Sequence, residues 1–76
     1  LTHEYSVTFP TVLRLSDHDM NIIKKAYNTG VIQNDSLMIE KLILKIEEVT
    51  NIKKLHLNEN QFIQTIINDF NYLTSN

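Results

Sequence analysis

Three histidines, His3, His18 and His56, are the first residues whose chemistry could matter. They fall on three separate elements with no HxxxH or HxH spacing. Zinc needs three or four converging ligands, so no metal centre is expected from them. Asp17-His18-Asp19 could form an acid–base cluster. Helix capping accounts for both aspartates without chemistry. Asn34-Asp35-Ser36 matches a glycosylation sequon, yet its residue types also suit a helix N-cap. There is no cysteine nucleophile, no serine in a glycine elbow and no glycine-rich phosphate loop. The expectation is a non-enzyme with no cofactor, no metal and no small-molecule substrate.

Stepping from these residues to the elements that carry them, the 76-residue chain allows one domain, 1–76. A chain of this length buries only ~60% of the surface it exposes when unfolded, so its core is marginal without help. With no cysteine, neither a disulfide nor a thiolate site supplies that help, and a reducing, cytoplasmic setting is expected. No apolar run approaches the ~18 residues that span a membrane. Nine acids against seven bases give a net charge of −2, which disfavours non-specific nucleic-acid binding through a broad basic surface.

Tyr5, Val7, Phe9, Thr11, Leu13 and Leu15 occupy alternate positions, with Ser6, Thr8, Pro10, Val12 and Arg14 between them. This period-2 pattern predicts a strand over about 5–15, with Pro10 on the outward backbone of an edge. A first helix is expected over about 17–28. Ser16 and Asp19 have capping-box spacing, and Met20, Ile23 and Tyr27 form the stripe, widened by Ile22 and Ala26. Gly30 is expected as its left-handed stop. A second helix over about 35–50 is apolar well beyond one face, through Leu37, Met38, Ile43 and Leu44 beside Ile39, Leu42, Ile46 and Val49. A helix so apolar should be covered on more than one side, the extra cover coming from a second subunit. Ile52 to Leu57 reads either as a short strand or as a loop with a helical turn. Asn58 and Gln61 have capping-box spacing and open a third helix over about 59–73, with Phe62, Ile63, Ile66, Ile67, Phe70 and Leu73 on one face.

The stretches TVLRLSDHDMNIIKKAYNTG and DSLMIEKLILKIEEV, with the strand before them, resemble the ribbon-helix-helix family of Arc-type and methionine-repressor-type proteins. The resemblance covers about residues 7–50. It implies a mainly α fold with one N-terminal β-strand, an intertwined homodimer and an extra C-terminal helix. The strand would pair with its copy in the partner subunit. Base-reading positions would be Pro10, Val12 and Arg14, and the phosphate anchor Asn34, Asp35 and Ser36. The dimer interface would hold Val7, Phe9, Leu13, Leu15, Leu42, Ile46 and Val49. The alternative fold is a monomeric α+β domain in which residues 52–57 pair with the first strand beside three helices.

Two functions follow. One is a small homodimeric DNA-binding regulator, plasmid- or phage-encoded, reading DNA with a two-stranded ribbon. The other is a protein–protein interaction module or inhibitor that binds a partner protein. Its motivation is the mild acidity, together with three amphipathic helices carrying more apolar face than one small core needs.

Overall fold

A computed structural model describes residues 4–75. Among these the chain holds no β-strand: it is a 3-10 helix, Pro10–Arg14, followed by α1 (Asp17–Ile32), α2 (Ser36–Thr50) and α3 (Glu59–Thr74). The ribbon expectation is therefore overturned, and so is the two-stranded α+β alternative. Residues 4–9 run without helix or strand, and the alternation ends at Pro10. Proline with its φ already set is a good first residue of a helix, and here it opens one. The pattern that governs this segment has period three rather than two. Phe9, Val12 and Leu15 turn inward, and the amides of Val12 and Leu15 donate to the carbonyls three residues back. Val12 is fully buried while Leu13, assigned to the apolar face of the strand, is 55% exposed.

The helix starts are made locally. Ser16 Oγ accepts from Asp19 N at 3.0 Å while Asp19 Oδ2 accepts from Ser16 N at 2.9 Å. Asn58 and Gln61 repeat the reciprocal pair at the head of α3. Each box satisfies amides that a helix start leaves without partners. Asp35 caps α2 by accepting from Met38 N at 3.0 Å. Asn51, at φ 59°, ends α2 in the left-handed conformation. Ile52 to Leu57 is the loop of the two readings: Leu55 has φ 52°, and Lys54 N is held by Glu47 Oε2 at 2.8 Å.

Gly30 does not stop α1. The helix continues to Ile32, and the left-handed residue of the turn is Asn34, at φ 52°. Gly30 serves close packing instead, since a Cβ there would stand 2.5 Å from Ile39 Cδ1 and 3.0 Å from Ile39 Cγ1. Alanine would gain about 1 kcal/mol of helix propensity. Overpacking against the buried Ile39 costs about 1–3 kcal/mol. Gly30→Ala is expected to lose about 1 kcal/mol in urea unfolding and Gly30→Val more; a gain in either would show that Ile39 swings clear freely.

One core joins all elements. Val12, Met20, Ile46, Phe62, Ile63 and Ile66 are its most deeply buried apolar members, drawn from the 3-10 helix and all three helices. α1 packs chiefly on α2, and the 3-10 helix sits against α3 and α2. Two polar ties join α1 to α3: Tyr27 Oη donates to Asn60 Oδ1 at 3.0 Å, and Lys24 Nζ to Asn71 Oδ1 at 3.2 Å. α2 buries Ile39, Leu42, Ile43 and Ile46 within this one chain. What it leaves out are Leu37 and Leu44, 59% and 62% exposed. They stand seven residues apart on the face turned away from Leu42 and Ile46. Among the described residues no helix is long and apolar enough to cross a membrane.

Candidate docking groove and N-terminal latch

The packing of α1 on α2 leaves an apolar groove of about 120 Å³ between them. Ile22 and Ile23 come from α1, and Leu42, Ile46 and Val49 from α2; Leu15 reaches in from the end of the 3-10 helix. The floor is core, with Leu15, Ile23, Leu42 and Ile46 all buried, whereas the wall residue Ile22 keeps 51% of its surface in solvent. Asp19 and Lys45 supply the polar edge, one from each helix. Asp19 is held below the usual carboxylate range, first by the Ser16 amide and hydroxyl, and then by the His18 and Lys45 charges. Lys45 also pairs with Glu48 at 3.2 Å, but both side chains are over 70% exposed, and such a pair adds little to stability. An apolar cleft with a few charges at its edge is suited to receiving a side chain or helix face from another molecule.

The second feature is a buried carboxylate. Asp69 lies on the core-facing side of α3, one heptad beyond Phe62 and three residues after Ile66, and is fully buried. Its Oδ1 accepts from the Tyr5 hydroxyl at 2.5 Å, and its Oδ2 from the amides of Phe9 at 2.7 Å and Thr8 at 3.1 Å. The Tyr5 ring stacks on Tyr72 with centroids 5.0 Å apart, and Phe9 meets Phe62 edge-on at 5.9 Å. Burying a carboxylate is tolerable only with such donors.

The same contact perturbs Tyr5, whose phenol is pushed up to about 12. The hydrogen bond to Asp69 is the chief cause, followed by desolvation and the carboxylate's charge. Tyr5 remains 40% exposed, so no large stability term follows from the shift. The sign is fixed by the direction: a folded pKa above the unfolded ~10 favours the folded state fully below pH ~10 and loses that contribution as pH rises toward 12. In an ultraviolet titration, Tyr5→Phe is expected to remove the last tyrosinate step, near pH 12. Persistence of that step in the variant would assign it elsewhere.

The residues singled out in the sequence separate here. Leu15, Leu42, Ile46 and Val49 come together in the groove. Val7 and Phe9 are half-buried away from it, along the N-terminal segment, and Leu13 faces solvent. Pro10 and Arg14 are exposed on the 3-10 helix while Val12 is in the core, so these three do not share an outward face. Asn34 and Asp35 lie in the α1–α2 turn and Ser36 opens α2, where the Asp35 carboxylate already occupies an N-terminal amide. His3 lies outside the described residues. His18 is exposed at the start of α1 and His56 in the loop before α3. Among the described residues no three His, Cys, Asp or Glu side chains converge as metal ligands. Asp69 was not among the residues singled out in the sequence. The available signal was its spacing, seven after Phe62 and three after Ile66, on the apolar stripe itself.

An all-helical domain of three helices, with an open apolar groove on one side and a latched N-terminal segment on another, is the class that this geometry defines. The chain belongs to a family described as a domain of unknown function, DUF8484, whose model matches residues 1–76. No curated protein and no solved structure matches it.

Proposed function

We propose that this domain is a protein-binding module that receives an apolar segment of a partner in the α1–α2 groove. The observation that carries the reading is Ile22, half in solvent above a floor of core residues, in a cleft whose polar members among the described residues are Asp19 and Lys45. Exposed apolar surface continuous with a cleft is characteristic of docking sites, where a few buried anchors dominate affinity. The net charge of −2 fits a protein partner better than a polyanion.

A photo-crosslinking residue placed at position 22 tests this in extracts of the source cells. One defined adduct is expected, lost when Val49→Glu puts a charge into the groove and absent when the crosslinker stands at position 44, on the opposite side of α2. An adduct that survives Val49→Glu, or equal labelling from position 44, would refute docking in this groove. An adduct of twice the chain mass would identify the occupant as a second copy.

A further inference from the structure

Among the described residues, every hydrogen bond from residues 5–9 to the helical body ends on one side chain, the Asp69 carboxylate. The Phe9 carbonyl already belongs to the next element, accepting from Val12 N as the 3-10 helix begins. We infer that residues 5–9 form a displaceable strap, latched onto α3 by Asp69 and hinged at Pro10, which opens locally while the three helices stay folded.

Three observations support a local opening. The latch is concentrated: three donors and one acceptor residue make or break together, because a carboxylate stripped of its donors cannot stay buried. The moving part is bounded, since Val12 and Leu15 just beyond the proline are anchored in the core at 0% and 5% exposure. The strap is itself lightly held: Tyr5, Ser6 and Thr8 are exposed, Val7 and Phe9 only half-buried. When it lifts, Asp69 meets water beside the Phe62 and Tyr72 rings. This device does not depend on the groove between α1 and α2, and either can fail without the other.

Native-state amide exchange on the full chain, followed by NMR, tests it. In the wild type, the Thr8 and Phe9 amides are expected to exchange at least about tenfold faster than those of Ile43 and Ile46, with rates insensitive to low urea, as local openings are. In the near-isosteric Asp69→Asn, the same two amides should speed up by a further factor of about ten, with α2 amides unchanged within about twofold. Thr8 and Phe9 following the same urea dependence as the α2 amides would make the segment part of the global core and overturn the strap. Unchanged rates at Thr8 and Phe9 in Asp69→Asn would overturn the latch. The wild-type urea series decides the question alone if that variant does not fold.

Discussion

Phe62→Ala is expected to bring the chain to the edge of unfolding at room temperature. Phe62 is fully buried, at the N-terminal end of the α3 stripe, and its ring takes the edge of Phe9 at an interplanar angle of 63°. Removing a buried phenylalanine costs about 3–5 kcal/mol, transfer and cavity terms together. At about 0.05–0.15 kcal/mol per residue, a domain of this length has about 4–11 kcal/mol in total. The loss is thus about a quarter of the whole or more, and at the lower end of that range nearly all of it. Urea unfolding followed by far-ultraviolet circular dichroism measures it. A cost below about 1 kcal/mol would mean that α3 does not hold the core described here.

Ile46→Ala comes next, at about 2–5 kcal/mol, and its informative partner is Leu44→Ala. Ile46 is 1% exposed and Leu44, two positions away, is 62% exposed. The Leu44 change should stay within about 0.5 kcal/mol, as surface substitutions do. Equal costs at the two positions would mean that α2 is covered on both sides, as the sequence pattern implied. The structure instead buries Ile39, Leu42, Ile43 and Ile46 against the chain's own elements, and the breadth of the apolar pattern comes from Leu37 and Leu44 facing solvent.

That helix shows how a composition argument can mislead. Counting apolar residues on α2 gives the right total but not the number of faces that packing uses, which depends on where α1 and α3 lie. The groove illustrates the same point. Leu15, Leu42, Ile46 and Val49 were recognisable as apolar stripe residues, but only the crossing of α1 over α2 leaves Ile22 standing beside them in an open cleft. Asp69 was only half legible: its spacing sets it on the apolar stripe of α3, but its residue type argues for the surface. A carboxylate beside Asn68 reads as solvated, and the donors that make its burial possible lie sixty or more residues away.

The sequence by itself determined where the three α-helices begin. Ser16 with Asp19 and Asn58 with Gln61 satisfy helix-end amides within three residues, and the 3.6-residue stripes specify which faces turn inward. Tertiary structure decided the rest. Residues 5–15 carry both a period of two and, through Phe9, Val12 and Leu15, a period of three; the core chose the second because it seats the 3-10 helix with Val12 against α2 and α3 and sets Leu15 into the floor of the α1–α2 groove. Gly30 could have ended a helix or let two helices touch, and the nearness of Ile39 settled which. Local hydrogen bonds are written in neighbouring residues, whereas the choice between two permitted backbones depends on surfaces that exist only once the distant parts of the chain have met.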